Sequence, residues 1–574
     1  MYTHVLSFQP NSVFLLKIGQ YHMKILWLDI NSSYSHSSVA LPAIHAQVSD
    51  RNEWCVVRGT INDSPGSLAC AVAEEKPDII AATFWLFTHQ MQIEVLSRAV
   101  QLLDKVQVIC GGPEFLGNNE DFLRKNRFIS AVIRGEGEIA LPELLDTIND
   151  ETKWKSIEGL CWISETDNRY HDNGTARVAD FASLKYPEES RFFRWDKPFV
   201  QLETTRGCFN TCAFCVSGGE KPVRYQSIEQ VKSRLENICS HGIKDVRVLD
   251  RTFNYDTARA CEMLDLFVSY DGKMRFHLEI HPSLMTEELK ARLAAVPKGL
   301  LHLEAGIQSL DSKVLSQSGR KGSLESSLKG LEYLCSSDNL ETHADLIAGL
   351  PDYSLEMLCS DIKTLIKLGV DELQVESLKV LPGTQMRLKA NEMGLKYSPL
   401  PPYEILKTSS ISLKEIETAM QISRMLDFYY NSKAWQKITR ELVCDNDDFI
   451  VKFTGYLRDS MVLDSPLSLE RRGIIIHEYC KMNHPDKLTD ISLAWIEAGF
   501  SLKKEPAGNI QKIKNLEIFL RDNGYKLDIR YGDAAPTHRY YLLNSSDRKF
   551  IFGYDSQLHQ PSPVFHALIT ETGL

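Results

Sequence analysis

Apolar and amphipathic segments alternate over the first part of the chain, from Met23 to about Asp146. The apolar segments are short enough for β-strands, and the segments between them have the spacing of helices, most clearly 92–103. Strands that alternate with helices predict an α/β domain with a doubly wound, Rossmann-like parallel sheet. The five predicted strands are 24–30, 54–58, 78–83, 107–110 and 131–134.

A second alternation of strands and helices runs from Val200 to about Pro382. Six strands separated by five helices predict a partial (β/α)6 barrel, because successive strand–helix–strand units of one hand build a parallel wall. The six predicted strands are 200–204, 245–250, 275–280, 301–305, 342–347 and 372–380.

These patterns divide the chain into five parts. Met23 directly precedes the first strand, so we expect the residues before it to be a dispensable extension or the result of a misplaced start. The dipeptides Tyr186-Pro187 and Lys197-Pro198 mark a connector between the two strand–helix series. The predicted parts are an extension (1–22), a doubly wound domain (23–150), a connector (151–199), a partial barrel (200–400) and a mainly helical C-terminal domain (401–574).

The C-terminal domain follows a proline-rich hinge at 399–402. Segments 413–437 and 467–482 have the clearest helical pattern, and 525–552 is a possible β-rich end. We expect this domain to shape or cover the mouth of the barrel.

Composition excludes several classes of protein. The net charge is −11, from 65 Lys and Arg against 76 Asp and Glu, which disfavours broad nucleic-acid binding. The chain has thirteen cysteines, an odd number, and is too long for a disulfide-stapled secreted domain, so we expect a reducing, cytoplasmic environment. There is no run of about 18 apolar residues, so the sequence predicts no membrane span.

One tight cysteine cluster stands out from the scattered cysteines. Cys208, Cys212 and Cys215 have the spacing C-x3-C-x2-C in a loop directly after the first predicted barrel strand. Thiolates are the usual ligands of iron–sulfur clusters, and three of them leave one iron of a four-iron cubane open. A zinc site would need a fourth ligand, and no Cys or His follows in the next twenty residues. A zinc site and three buried packing cysteines are the alternatives.

With the aromatic Phe214 between its last two cysteines, this segment resembles the radical S-adenosylmethionine (SAM) superfamily over about 200–382. The resemblance implies a [4Fe–4S] cluster whose open iron chelates the amino and carboxylate groups of SAM. One electron from the cluster then cleaves the S–C5′ bond and gives a 5′-deoxyadenosyl radical. It also implies a reducing electron donor of the flavodoxin or ferredoxin type.

The same resemblance implies SAM contacts at the carboxyl ends of the barrel strands, where barrel active sites lie. Residues 250–253 occupy the position at which many members of the superfamily have a Gly-Gly-Glu sequence. This chain lacks that sequence there, so the resemblance does not identify the groups that bind the amino group of SAM. A helix-start charge at Glu304 and a paired structural carboxylate at Glu279 are alternatives. The implied SAM contacts are Phe214, Asp250, Glu279, Glu304, Gln308, Ile347 and Leu381.

A doubly wound domain before such a barrel resembles the cobalamin-binding subgroup of the superfamily. No Asp-x-His-x-x-Gly sequence occurs, so the resemblance implies cobalt without the usual histidine lower ligand. Core positions for Phe84 and Trp85, a surface position for His36, and a module without any corrin are alternatives. The implied cobalamin contacts lie on rim loops at Asn31, His36, Phe84, Trp85, Gly111, Gly112, Pro113, Gly135, Glu136 and Gly137.

The resemblance therefore implies methyl transfer to an unactivated carbon or phosphorus centre of a small molecule by way of the 5′-deoxyadenosyl radical. Cobalamin-assisted cyclisation, oxidation or rearrangement would use the same motifs. A radical SAM enzyme that modifies tRNA is a further alternative, although Cys55, Cys70 and Cys110 lie within predicted elements rather than on rim loops. An iron–sulfur sensor without catalysis would leave the strand-end segments without a purpose.

Overall fold

The computed structural model describes residues 23–48, 52–545, 548–557 and 561–571. The chain forms two compact units, one reaching to Ala179 with Leu184–Phe193, the other comprising Asp180–Ser183 and the chain from Arg194 onward. The predicted extension 1–22 lies outside the described residues. No helix among the described residues is long and apolar enough to cross a membrane.

The first unit contains a seven-stranded sheet in the order β2-β1-β3-β4-β5-β6-β7. Strands β1 to β5 are parallel, as predicted, and β6 and β7 continue the sheet antiparallel within the segment expected as a connector. The strands are β1 (Lys24–Asn31), β2 (Glu53–Thr60), β3 (Ile79–Thr83), β4 (Gln107–Gly111), β5 (Ala131–Ile133), β6 (Leu160–Ile163) and β7 (Tyr170–Asp172). The helices are α1 (Ala40–Gln47), α2 (Pro65–Glu74), α3 (His89–Gln101), α4 (Glu120–Lys125) and α5 (Gly137–Asp146).

Alternation along β1 shows why this sheet is buried on both faces. Leu26 and Leu28 belong to one apolar cluster, while Ile25 and Trp27 belong to another. Successive side chains of a strand point to opposite faces, so β1 supplies two cores at once. The loops at the carboxyl ends of the parallel strands remain available for a ligand.

The second unit begins with a six-stranded parallel sheet in the order β15-β14-β13-β12-β11-β8, the open wall of a partial barrel. A short hairpin, β9 and β10, follows its first strand. The strands are β8 (Val200–Leu202), β9 (Thr205–Arg206), β10 (Arg224–Tyr225), β11 (Asp245–Val248), β12 (Arg275–Ile280), β13 (Leu301–Gln308), β14 (Glu341–Ala348) and β15 (Glu372–Ser377). The helices are α6 (Ile228–Ser240), α7 (Thr257–Val268), α8 (Glu287–Ala294), α9 (Ser312–Gln317), α10 (Leu324–Cys335), α11 (Leu355–Leu368) and α12 (Gln385–Leu388).

The C-terminal part of this unit is helical and then turns to β-structure. The predicted helix 413–437 is interrupted by a π-helical turn, Leu426–Tyr430, so that two helices replace one. The predicted β-rich end is a five-stranded antiparallel sheet. The elements are β16 (Lys396–Tyr397), β17 (Ile405–Lys407), α13 (Leu413–Met425), α14 (Lys433–Asp445), α15 (Phe449–Asp459), α16 (Leu469–Asn483), α17 (Leu488–Glu497), β18 (Ile510–Ile513), α18 (Leu516–Asp522), β19 (Tyr525–Tyr531), β20 (His538–Asn544), β21 (Lys549–Asp555) and β22 (Phe565–Glu571).

The turn after the π-helix covers the open edge of the barrel at β15. The side-chain oxygen of Asn431 accepts a hydrogen bond from the backbone N–H of Leu373 at 2.9 Å, and its amide donates to the Leu373 carbonyl at 3.0 Å. Gln436 donates to the carbonyl oxygen of Asp371 at 2.6 Å. An edge strand exposes unpaired backbone groups, and here Asn431 replaces the next strand.

We predict that Asn431→Ala weakens this edge, because the backbone N–H and C=O of Leu373 would lose their partners at a cost of about 1–3 kcal/mol each. Hydrogen exchange of a peptide containing Leu373 should become faster and the unfolding temperature should fall. Asn446→Ala removes only a bond to Leu442 within its own helix and should leave that peptide unchanged. Unchanged exchange at Leu373 in the Asn431 variant would contradict the edge assignment.

Candidate active site

The loop between β9 and β10 presents the three cysteines in a compact turn. The backbone N–H of Cys208 donates to the carbonyl oxygen of Glu220 at 3.0 Å, which closes the loop at its base. The N–H of Cys215 donates to the carbonyl of Cys212 at 3.1 Å. A Cβ on Gly218 would lie 2.3 Å from the Cys212 carbonyl oxygen, so the tight turn requires glycine there. The loop is therefore folded around the positions of its thiols.

Asp250 attaches the beginning of this loop to the barrel. Its carboxylate is buried and accepts hydrogen bonds from the backbone N–H groups of Thr204 and Thr205, both at 2.8 Å, and from the Thr204 hydroxyl. Burial raises the pKa of Asp250, and these three bonds oppose the rise. The predicted SAM contact at Asp250 stays a prediction, but its two oxygens already hold the loop.

A second support comes from residues 318–321, between α9 and α10. The backbone N–H of Ala213 donates to the carbonyl of Ser318 at 2.8 Å. The N–H of Lys321 donates to the side-chain oxygen of Asn210 at 2.8 Å. The cysteine loop is thus bound on two sides by parts of the barrel that are distant in sequence.

The charges around the thiols suit a negatively charged cluster. Burial raises the pKa of Cys212, and Arg320, whose Nη1 lies 3.9 Å from its Sγ, opposes this. Burial also raises the pKa of Cys215, which the guanidinium of Arg251 opposes. Cationic neighbours favour thiolate ligands over thiols and offset the negative charge that a cluster would bring into the barrel. Neither Arg320 nor Arg251 was among the site residues predicted from the sequence.

The donor set of the loop suits an iron–sulfur cluster. The loop offers three thiols, of Cys208, Cys212 and Cys215, and thiolates are the usual ligands of such clusters. A structural zinc site would use four ligands, and among the described residues no fourth ligand is grouped with these thiols. The residues present therefore fit a cluster.

Four titratable groups line the barrel face beyond the cluster loop. Glu279 and Glu304 pair across β12 and β13, and His277 lies 2.7 Å from Glu304. The bond to His277 lowers the pKa of Glu304 to about 2, while burial raises the pKa of Glu279 to about 7. Burial also raises the pKa of Asp345 to about 6. His277 and Asp345 were not among the predicted contacts, although strand alternation places them on the same face as Glu279.

The remaining predicted SAM contacts differ in their positions and in their burial. Gln308 ends β13 with a φ of 70° beside a bulge, and Ile347 is half-buried on the same face of β14 as Asp345. Leu381 and Phe214 are half-buried, the first beyond β15 and the second between two cysteines. The structure thus brings Glu279, Glu304 and Ile347 onto one wall.

In the first unit, two predicted glycines permit close packing of loops. A Cβ on Gly112, whose φ is 108°, would lie 2.6 Å from the carbonyl oxygen of Phe84. A Cβ on Gly135, with a φ of 97°, would lie 2.3 Å from that of Ala176. Phe84 itself is fully buried, as the core alternative for this residue expects. These residues shape the rim without lining an open space.

Other predicted cobalamin residues are held by their neighbours. Asn31 donates to Asp29 at 3.0 Å, and Glu136 accepts from the Val178 N–H at 2.6 Å. Nδ1 of the exposed His36 lies 2.7 Å from Ser33 Oγ. The last three are Gly111, which ends β4, Pro113, which starts a 3-10 turn, and Gly137, which starts α5.

The rim nevertheless has an apolar surface that suits a flat ring. Trp85 is 37% exposed, just after β3, and four further apolar side chains at the carboxyl ends of strands are also exposed. Exposed apolar side chains grouped at a ligand-binding edge indicate a binding surface. These four are Tyr34, Ile61, Phe87 and Ile139. The residues present therefore fit a corrin at this edge.

Comparison with known proteins matches three families to three parts of the chain. The B12 binding domain family matches residues 28–145, the radical SAM superfamily 202–365, and a family described as a protein of unknown function (DUF4080) 391–493. The barrel with its cysteine loop makes the chain a radical SAM enzyme. The order of the three domains makes it, more particularly, a cobalamin-binding radical SAM protein with an additional C-terminal domain. The predicted cofactors, a [4Fe–4S] cluster, SAM and cobalamin, are those that the matched families imply.

Curated relatives include methyltransferases. An uncharacterized methyltransferase of Pyrococcus horikoshii is 26% identical over 73% of this chain and 93% of its own length. The cobalamin-dependent radical SAM methyltransferase TokK of Streptomyces tokunonensis is 23% identical over 57% of this chain and 51% of its own length. A tRNA-2-methylthio-N(6)-dimethylallyladenosine synthase of Herpetosiphon aurantiacus is 25% identical over 35% of this chain and 48% of its own length.

Solved structures share the fold. The cobalamin-dependent SAM radical enzyme OxsB, with aqua-cobalamin and SAM bound, has a TM-score of 0.59 at 14% identity, covering 85% of this chain and 82% of its own. The radical SAM methyltransferase TsrM of Kitasatospora setae, with tryptophan and a SAM analog bound, has a TM-score of 0.55 at 19% identity. That match covers 67% of this chain and 80% of TsrM. At these identities the likeness confirms the predicted fold class.

We predict that Glu279→Gln stabilises the protein more at pH 8 than at pH 5. Burial raises the pKa of Glu279 from 4.5 to about 7, so ionisation costs the folded state increasing stability between these values. Glutamine removes that cost. Unfolding temperatures of cluster-free wild type and variant at the two pH values measure the difference.

Glu376→Gln is the matched control. Burial raises the pKa of Glu376, but the bond and charge of Lys379 and the bond from Gln374 together lower it. The stabilising effect of the ionised carboxylate is therefore complete above about pH 4.5. The stability deficit of this variant should be the same at pH 5 and pH 8. If Glu279→Gln changed the unfolding temperature by the same amount at pH 5 and pH 8, this would contradict the raised pKa of Glu279.

Proposed function

We propose that this enzyme transfers a methyl group from SAM to an unactivated carbon or phosphorus centre of a small molecule in the cytoplasm. The observation that carries the proposal is the loop with Cys208, Cys212 and Cys215 in a barrel whose chain also matches the B12 binding domain family. The relatives of Pyrococcus horikoshii and Streptomyces tokunonensis, both called methyltransferases, support it.

When bound, the cluster and SAM supply a radical that removes hydrogen, and cobalamin supplies the methyl group. The chain's own residues position these reactants. Cys208, Cys212 and Cys215 hold the cluster, and Arg251 and Arg320 balance its charge. Glu279 and Glu304 offer carboxylates to the hydroxyl and amino groups of SAM, and Trp85 with the apolar rim offers a face to the corrin.

The small-molecule assignment has two supports. The net charge of −11 gives a nucleic acid no general attraction, and the tRNA-modifying relative matches only 35% of this chain. The barrel wall is rich in carboxylates, including Glu304 and Asp345, which suits a compact polar substrate better than a phosphate backbone.

An acidic one-electron donor protein, of the flavodoxin or ferredoxin type, fits the surface beside the cluster loop. Phe209, next to Cys208, stacks on Tyr255 with ring centroids 4.9 Å apart, and Tyr255 is 46% exposed. Lys221 and Lys321 are exposed at this loop, and the Lys221 ammonium lowers the pKa of Lys321. Two neighbouring cations beside an exposed aromatic path would attract an acidic donor.

The test uses the anaerobically reconstituted enzyme with cobalamin, a reductant and SAM labelled in its methyl group. We predict that label is recovered on cobalamin, together with S-adenosylhomocysteine, even before the substrate is known. Variants Cys208→Ala, Cys212→Ala and Cys215→Ala should lose 5′-deoxyadenosine formation, while Cys239→Ala and Cys335→Ala should retain it. Formation of 5′-deoxyadenosine with unlabelled cobalamin and no S-adenosylhomocysteine would instead favour radical cyclisation, oxidation or rearrangement.

A further inference from the structure

Three metal-ligating side chains meet on the barrel wall away from the cysteine loop. One ligand atom each of His302, His343 and Glu372 lies within 4.8 Å of the other two. None of the three was singled out in the sequence, and none takes part in the proposed methyl transfer. His343 is buried and the other two are half-buried.

The parallel register explains why these residues converge. His343 on β14 lies opposite Glu372 on β15, and His302 lies on the adjacent strand β13, opposite Glu341. On β13 the alternate residues Leu301 and Leu303 are buried, which places His302 on the face turned away from the helices.

The triad is at the other end of the barrel from the cluster. His302 is the second residue of β13 and Gln308 is its last, so about 20 Å of strand separates them at about 3.3 Å per residue. The cysteine loop follows the carboxyl end of β8. A ligand of the triad would therefore not compete with cluster or SAM for the same side chains.

The distances suit a transition metal after a small adjustment. Zinc bonds to imidazole nitrogen and carboxylate oxygen are about 2.0–2.2 Å long, so two ligand atoms on one ion lie at most about 4.2 Å apart. Small side-chain rotations close the remaining gap. Two histidines and one carboxylate are the donor set of catalytic zinc and of non-haem iron(II) sites, which keep a coordination position open.

Neighbouring groups supply the outer contacts that such sites use. Glu341 lies 3.6 Å from Nδ1 of His302, where a carboxylate can accept the second N–H of a metal-bound imidazole. Asp345 lies 3.1 Å from Nε2 of His343, so a carboxylate stands beside each of the two imidazoles.

The local charge also favours a cation. Arg275 contacts both Glu341 and His302, but its charge is taken up by Glu341. Asp427, from the π-helical turn, adds a further carboxylate near Glu372, and burial raises its pKa. A half-buried wall with this excess of carboxylates is stabilised by a divalent ion.

We infer that His302, His343 and Glu372 bind a divalent transition-metal ion of the zinc or iron(II) class, separate from the iron–sulfur cluster. Three protein ligands leave at least one position for water or for a donor atom of the substrate. This inference does not depend on the methyl-transfer proposal.

Zinc binding to the full-length, cluster-loaded protein tests it. The protein is equilibrated anaerobically with zinc sulfate, freed of unbound metal, and analysed for zinc and iron, with affinity measured by calorimetry. We expect one zinc per chain with no loss of iron. His343→Ala and Glu372→Gln should each weaken zinc binding by at least about tenfold, as loss of a metal contact does.

Glu376→Gln is the control, because Glu376 lies on the same strand as Glu372 but binds Lys379 and is outside the triad. It should keep the zinc affinity of the wild type. Glu372→Gln preserves side-chain volume, so it stays informative if His343→Ala folds poorly. Absence of zinc from the wild type, displacement of iron by zinc, or equal affinity in wild type and Glu372→Gln would overturn the inference.

Discussion

The structure depends on one buried carboxylate. Asp250 accepts three hydrogen bonds from Thr204 and Thr205, at the point where the first barrel strand passes into the cysteine loop. An isolated buried charge is costly, and donors of this kind offset the cost only when all are in place. The loop therefore has one low-energy attachment to the barrel, and residues 318–321 fix its other side. A cluster bound there would have its ligands positioned by the barrel and not by the metal alone.

The need to pair backbone groups also explains one role of the C-terminal domain. A six-stranded parallel wall has two open edges, and a parallel sheet is stable only when its edges and faces are covered. Asn431 meets the backbone of Leu373 at one edge, in a turn produced by the π-helix before it. This region falls within residues 391–493, which match the DUF4080 family, so in this chain the matched segment covers one edge of the barrel.

Much of this architecture could be predicted from the sequence because it is encoded locally. Strands such as β3 are apolar almost throughout, strands such as β13 alternate, and the spacing of Cys208, Cys212 and Cys215 is a local signal as well. The strands β6 and β7 were missed because no helix separates them, so they do not continue the alternation of strands and helices on which the prediction rested. The break at Leu426–Tyr430 was missed because tertiary contacts, not propensity, select the π-helical turn.

Site residues defined by contacts between distant segments could not be predicted. From the sequence, Gly112 and Gly135 are expected to leave space for a ligand. In the structure each glycine lets the backbone of another loop, at Phe84 or Ala176, approach closely. Arg320 reaches the cluster loop from over a hundred residues away along the chain, and no local pattern marks it. The triad of His302, His343 and Glu372 likewise exists only through strand register.

The most direct test of the central claim is the iron content of Asp250→Ala. This variant keeps all three cysteines but leaves two buried N–H groups without partners. Asp361→Ala is the matched control, because Asp361 is also buried and accepts three bonds, from Ser309, Leu310 and Tyr353, away from the loop. The account predicts that folded Asp250→Ala holds far less than the four irons of a cubane, as Cys208→Ala does, while Asp361→Ala holds the full amount. A complete cluster in Asp250→Ala would contradict it.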